Sequence, residues 1–231
     1  MRKYTKREAK EYNIFRAFFQ WLVVNLVYGT YYKVMYRVEV QGKENIEKDK
    51  KYVVAANHLT AADPFLVIFA IRQPTAYMAK AELFESNFLM TLFLDWLGAF
   101  VVNRDKLDVS TIKTVYGLKK SSWHLGLFPQ GKRDLSGKLE NVSKGFAVIA
   151  QKTGADILPI GIVGADKKVK IPFTGKIIIK IGKPIEVSDN VEETVDKWCM
   201  EVAGLANLEY EKVNKWEEKV TQDDMNQSII G

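Results

Sequence analysis

The chain has 231 residues, 47% of them apolar and 27% charged, enough to bury one substantial core, and no linker or internal repeat divides it. Its net charge of +6 and pI near 9.1 point to an anionic partner: nucleic acid, an anionic membrane or a phosphorylated substrate. A lone cysteine, Cys199, without a CxxC pair or Cys/His cluster, excludes an internal disulfide, offers no metal site and fits a reducing compartment.

Residues 1–35 are expected to form an N-terminal membrane-associating helical segment and residues 36–231 the main domain. The first sixteen residues hold six basic groups, Arg2, Lys3, Lys6, Arg7, Lys10 and Arg16, before an uncharged stretch from Ala17 to Tyr32 rich in Phe, Trp, Leu and Val. As a helix that stretch would reach roughly 24 Å, short of the bilayer's hydrocarbon core, and Gln20 and Asn25 interrupt it. No A-x-A-like cleavage site follows, so the segment reads as retained. Basic residues beside aromatic and apolar ones suit an interfacial helix on an anionic membrane. The alternative is an amphipathic helix packed on its own domain.

Further along, β-rich runs at Val38–Val40, Tyr52–Ala56, Thr75–Ala79, Ala99–Val102, Leu125–Phe128, Ile157–Val163 and Lys176–Ile181 alternate with helical patterns. The helical patterns cover Pro64–Ile71, Ala81–Leu97, Val109–Lys119 and Gly145–Lys152, with a long charged helix over Asn190–Val220, broken near Gly204. Such alternation predicts an α/β fold, a mixed, largely parallel sheet flanked by helices. Phe84, Phe88, Leu92 and Trp96 recur near helical spacing and are a candidate acyl contact, although such a stripe is more often core. In parallel sheets functional loops gather at the carboxyl ends of strands.

The apolar run Tyr52–Ala56 stops at Asn57-His58-Leu59-Thr60-Ala61-Ala62-Asp63-Pro64, with a histidine at a strand exit and a carboxylate before a helix. Asp63 followed by proline reads as an N-cap. The tight turn can also bring Asp63 onto His58, where it would fix one ring tautomer and stabilise the imidazolium as the other nitrogen takes a proton. A second segment, Gly98 to Asp105, is a strand ending on Arg104. The third, Leu127-Phe128-Pro129-Gln130-Gly131-Lys132-Arg133-Asp134, breaks a strand with Pro and Gly and presents two cations together, a pattern suited to phosphate oxygens or to a charged surface turn. The fourth, Ile157 to Ile162, is a core strand whose Pro159-x-Gly161 suggests a kink or a contact with substrate. There is no GxSxG elbow and no Walker loop, Cys199 sits in an amphipathic helix, and His124, just before a strand, reads as structural.

In order and spacing these four segments resemble the 1-acylglycerol-3-phosphate acyltransferases, a branch of the glycerolipid acyltransferases with an NHxxxxD signature. The linking text Ala79-Lys80-Ala81-Glu82-Leu83 and Gly182-Lys183-Pro184-Ile185 extends the likeness over roughly residues 50 to 187. The resemblance implies transfer of a fatty acyl group from acyl-CoA or acyl carrier protein to the free hydroxyl of a lysophospholipid, 1-acylglycerol-3-phosphate, giving phosphatidic acid. His58 and Asp63 would be catalytic, Lys80, Arg104, Gln130, Gly131, Lys132 and Arg133 would bind substrate, and neither metal nor organic cofactor is needed beyond the thioester. The family's FPEGTR reads Phe128-Pro129-Gln130-Gly131-Lys132-Arg133 here, which loses one negative charge and adds one positive. That departure leaves another acceptor open, such as glycerol-3-phosphate or a different lysophospholipid; a separate alternative is a non-catalytic membrane lipid-binding protein, against which the intact His58/Asp63 pair weighs. The expected location is the cytoplasmic face of the cell membrane, peripheral or monotopic, against an anionic membrane surface. Nucleic acid is not an expected partner, because the positive charge is scattered and its densest run leads into an aromatic helix.

Overall fold

The computed structural model describes residues 6–85, 87–101, 109–168 and 172–211. The N-terminal segment is one helical rod: Ile14–Leu22 (α1) continues through a π-helical stretch, Val23–Gly29, into Thr30–Tyr36 (α2). Asn13 caps it by accepting the Arg16 N–H at 3.1 Å. The body follows as Glu39–Gln41 (β1), Tyr52–Ala56 (β2), Asp63–Ile71 (α3), Thr75–Ala79 (β3), Ala81–Glu85 (α4), Phe88–Trp96 (α5) and Phe100–Val101 (β4). It ends with Val109–Lys119 (α6), His124–Leu127 (β5), Gly145–Thr153 (α7), Asp156–Val163 (β6), Ala165–Lys168 (α8), Ile178–Ile181 (β7) and Val191–Ala206 (α9).

The seven strands form one sheet in the order β1-β7-β6-β2-β5-β3-β4, parallel throughout except between β6 and β7, so the α/β architecture is the expected one. Helices cover both faces. Every residue of the central strand β2 is between 0 and 2% exposed, as an apolar run sandwiched by two layers requires. Val53 and Ala55 join a core with Leu118 of α6, Phe146 of α7 and Trp198 of α9, while Tyr52, Val54 and Ala56 join one with Leu66 and Ile71 of α3.

The rod belongs to this packing. Val24, Tyr32 and Tyr36 enter the second core, and Tyr12, just ahead of the rod, enters the first. The Gln20 side-chain amide, 1% exposed, donates to Thr75 O at 2.8 Å and Leu97 O at 2.7 Å and accepts the Thr75 N–H at 3.0 Å, so one glutamine clasps β3 to the end of α5. Two of the six early basic groups do not face outward. Arg7 is buried, 2.7 Å from the Asp95 carboxylate, and Arg16 meets the same carboxylate at 3.1 Å.

Three expected elements differ from those observed by more than one residue at an end. The helix over Ala81–Leu97 is two helices, because Asn87 accepts the Met90 N–H at 2.7 Å and starts α5 afresh. The helix from Val191 ends at Ala206, where Asn207 turns through the left-handed region at φ 55°, and Gly204 lies within it without breaking it, while residues 212–220 of the expected helix lie outside the described residues. The strand expected from Lys176 begins at Ile178.

His124 is structural, as expected. It is 3% exposed, its Nδ1 accepts the Tyr52 N–H at 3.1 Å, and its Nε2 meets Gln73 Oε1. Burial, helped by Lys51, pushes its pKa from 6.5 down to about 4. The unfolded chain therefore binds a proton that the folded chain refuses between those values, and stability contributed by neutral His124 is lost as pH falls through that window. The melting temperature should drop from pH 6.5 to pH 4, and His124→Gln, neutral throughout, should flatten part of that drop. An unchanged slope in the variant would remove His124 from the account.

Candidate active site

The site is built from the chain after β2. Asn57, 1% exposed, grips β6 with both ends of its amide: Nδ2 donates to Ile162 O at 3.0 Å and Oδ1 accepts the Ile162 N–H at 2.7 Å. That clamp sets the direction in which the next residue leaves the sheet. His58 follows, and its Nδ1 lies 2.7 Å from Asp63 Oδ2. Because Nδ1 is committed to the carboxylate, Nε2 is the ring nitrogen left to accept a proton.

Asp63 has no exposed surface, so its charge depends on hydrogen bonds. Oδ2 also accepts the N–H groups of Leu59 at 2.6 Å and Thr60 at 2.8 Å, while Oδ1 accepts the Thr60 hydroxyl at 2.9 Å. The N-cap reading of Asp63 is therefore corrected. Ala62 occupies the cap position of α3, and the Asp63 carboxylate turns back into the 58–60 loop instead of onto the helix.

The imidazole is also held from its face. Phe128 stacks on it with ring centroids 4.1 Å apart and planes 13° from parallel, and Tyr77 lies behind Phe128 at 5.3 Å and 20°. Gln130 is 8% exposed, and its Oε1 accepts the His58 N–H at 3.2 Å. Asp134 closes the other side, donating its N–H to His58 O at 2.8 Å. Gln130 thus supports the histidine from below, and among the described residues it does not line the cavity that His58 opens onto. The exchange of Glu for Gln keeps the one atom this contact uses, a carbonyl oxygen.

That cavity, about 460 Å³, lies at the carboxyl ends of β2, β3 and β5. Phe65, Ile68, Met78, Leu83 and Leu94 give it apolar walls, and Lys80, Lys132 and Arg133 are exposed residues lining it. Gly131 lines it too, with φ +69° and no atom within 4 Å of where a Cβ would be, so the space a side chain would fill is open. Gln20 of the rod and Tyr77 also line it. Arg104 lies outside the described residues. Pro159 is away from the cavity, opposite Ala55 in the sheet. At Gly161 a Cβ would stand 2.6 Å from Leu205 Cβ of α9, so the Pro-x-Gly step serves helix packing, not substrate contact. Among the described residues no group of three or more His, Cys, Asp or Glu side chains is placed to hold a metal ion.

The roles of Asn57, Thr60 and Phe128 are not assigned by the sequence pattern. Thr60 was findable, since a threonine three residues before an aspartate is spaced for a local turn. The partners of Asn57 and Gln130 lie 105 and 72 residues away and leave no local signal.

Residues 37–163 match the acyltransferase family model. The chain belongs to the acyltransferase family. The acyltransferase is 28% identical over 180 residues to the 1-acyl-sn-glycerol-3-phosphate acyltransferase of Borreliella burgdorferi, an alignment covering 77% of this chain and 66% of that one. To the enzyme of the same name from Bacillus subtilis it is 31% identical over 153 residues, 66% of this chain and 75% of that one. The alignment with the Streptococcus pneumoniae enzyme, 29% identical, covers 73% of this chain and 62% of that one, so this acyltransferase spans about two thirds of the length of these curated relatives. The crystal structure of the 1-acyl-sn-glycerophosphate acyltransferase from Thermotoga maritima superimposes with a TM-score of 0.65 at 23% identity, covering 85% of this chain and 83% of that one, which shows a shared fold.

Asn at position 63 preserves every hydrogen bond if its carbonyl oxygen replaces Oδ2 and its amide donates to the Thr60 hydroxyl, whereas Ala leaves three protein donors and the imidazole unpaired. Asp63→Asn should melt near the wild-type temperature and Asp63→Ala should be less stable by about 1–3 kcal/mol, while both lose transferase activity. Equal melting temperatures for the two variants would show that these bonds do not hold the turn.

Proposed function

We propose that this acyltransferase moves a fatty acyl group from a thioester, acyl-CoA or acyl carrier protein, to the free hydroxyl of 1-acylglycerol-3-phosphate, giving phosphatidic acid. One observation carries the reading: the His58–Asp63 pair opens onto an apolar-walled cavity whose lining includes Lys80, Lys132 and Arg133. An acyl chain suits the walls and a phosphomonoester suits the cations. The names of the curated relatives specify the same acceptor.

In the proposed reaction Nε2 of His58 takes the acceptor's hydroxyl proton as its oxygen attacks the thioester carbonyl carbon. Asp63 stabilises the imidazolium so formed. Collapse of the tetrahedral adduct breaks the carbon–sulfur bond, and the imidazolium returns the proton to the thiolate, leaving an ester and a thiol. Lys132 and Arg133, with Lys80 and Arg104, hold the acceptor phosphate.

The place of work that this reading requires is an anionic membrane surface, reached from the cytoplasmic face by a peripheral or monotopic attachment. The segment up to about residue 35 acts as the membrane-associating part, ahead of the acyltransferase domain. Outer residues of the rod are unusually bare for apolar side chains: Phe15 is 76% exposed, Phe18 60% and Trp21 49%. On α5, Phe88 and Leu89 are 77% and 74% exposed, and Trp96 packs edge-on against Phe19 of the rod, which joins the two patches. Of the stripe proposed as acyl contact, Phe84 is buried, whereas Phe88, Leu92 and Trp96 face out. No helix among the described residues is long and apolar enough to cross a membrane.

Acyl transfer from defined thioesters to a panel of acceptors tests the proposal. His58→Ala should fold and lose about 10²–10⁴-fold in kcat. Near-normal turnover in that variant would end the mechanism. Arg133→Ala should lose about 1.5–3 kcal/mol of kcat/KM on 1-acylglycerol-3-phosphate and little on monoacylglycerol, its uncharged counterpart. Equal losses on both acceptors would contradict the phosphate role.

A further inference from the structure

Five non-glycine residues among the described ones have left-handed φ: Arg37, Arg72, Asn141, Phe173 and Asn207. Four have ordinary reasons. Arg37, Arg72 and Asn207 close α2, α3 and α9, where chains commonly turn through this region, and asparagine enters it readily. Phe173, at φ 66°, closes no helix and carries a bulky ring. Its conformation costs stability, and with 60% of the residue exposed, burial recovers little of that cost.

The backbone fixes where this ring is presented. The Phe173 N–H donates to Met35 O at 2.7 Å, and the Ile177 N–H donates to Tyr36 O at 3.1 Å, so the turn is stitched to the C-terminal end of the rod. At that end Tyr31 and Val34 are 47% and 55% exposed. Lys33 and Arg37 are also exposed there, and neither has an acidic partner among the described residues, while Glu39 is taken by Lys176. Exposed aromatic and aliphatic groups between free cations complement an anionic lipid interface, with rings at the acyl boundary and cations at the phosphates.

We infer that Phe173 is a second membrane-inserting point, at the opposite end of the rod from Phe15, Phe18 and Trp21. The inference rests on the membrane reading above and adds orientation to it. With contacts at both ends the rod lies along the surface instead of pivoting on its N-terminal aromatics. The strained φ is then maintained because it turns an aromatic ring outward where the fold itself has no use for one.

The test measures the full chain, Phe173→Asn and Phe173→Trp on vesicles of equal parts phosphatidylcholine and phosphatidylglycerol, with thermal melting and sedimentation in parallel. Asparagine tolerates the left-handed region, so Phe173→Asn should melt at or above the wild-type temperature yet partition onto vesicles about ten-fold more weakly. Phe173→Trp should keep the affinity. Equal partitioning of wild type and Phe173→Asn would overturn the inference and leave the membrane reading intact. A lower melting temperature in Phe173→Asn would make the ring a packing residue, and a change in self-association instead of vesicle binding would make it a protein contact. Either result overturns the inference. If the wild-type chain itself stays off the vesicles, the membrane reading fails first and takes this inference with it.

Discussion

A carboxylate without exposed surface persists inside a protein only when its oxygens are occupied, and the occupants of Asp63 define the site around it. Its partners are the imidazole of His58, the N–H groups of Leu59 and Thr60, and the Thr60 hydroxyl. All come from the five residues that precede it. The carboxylate therefore folds its own loop, and folding that loop orients the imidazole. One group supplies both the turn's stability and, in the proposed reaction, the charge that stabilises a protonated His58.

Around that turn the rest of the molecule acts as a frame. Asn57 ties its start to β6, Gln130 and Asp134 hold the backbone of His58 from the third motif, and Phe128 covers the ring. The strands that carry these groups, β2, β5 and β6, are neighbours at the centre of the sheet. Their parallel register places all the carboxyl ends at one edge, where a cavity can form.

The N-terminal rod joins this frame to the surface. Its inner face is polar where it must be: Gln20 satisfies backbone groups of Thr75 and Leu97, and Arg16 meets Asp95, which Arg7, ahead of the rod, also reaches. Its outer face is apolar where a single folded chain would prefer it polar. The inner side of this helix meets the packed reading, and its bare outer side is what the proposed interfacial reading rests on. Gln20 also lines the cavity that His58 opens onto, so the rod forms part of that cavity's wall.

Much of this was present in the sequence, and the reason is locality. Strands β2 and β3 and helix α6 have the bounds their residue patterns predict, because period and turn residues act over a few positions. His58 and Asp63 are five apart, so their pairing needs only a tight turn. What lies far apart in the chain was decided by tertiary structure alone. Gln130 reads as one more residue of a phosphate loop until the fold brings its carbonyl oxygen under His58, 72 positions away. Arg7 and Arg16 read as headgroup contacts until α5 offers Asp95. Phe173 is unremarked in the sequence, because neither its left-handed φ nor its bond to Met35 is encoded in the residue type. A pattern of apolar positions determines which face of an element is buried, but only closure of the sheet determines what that face meets.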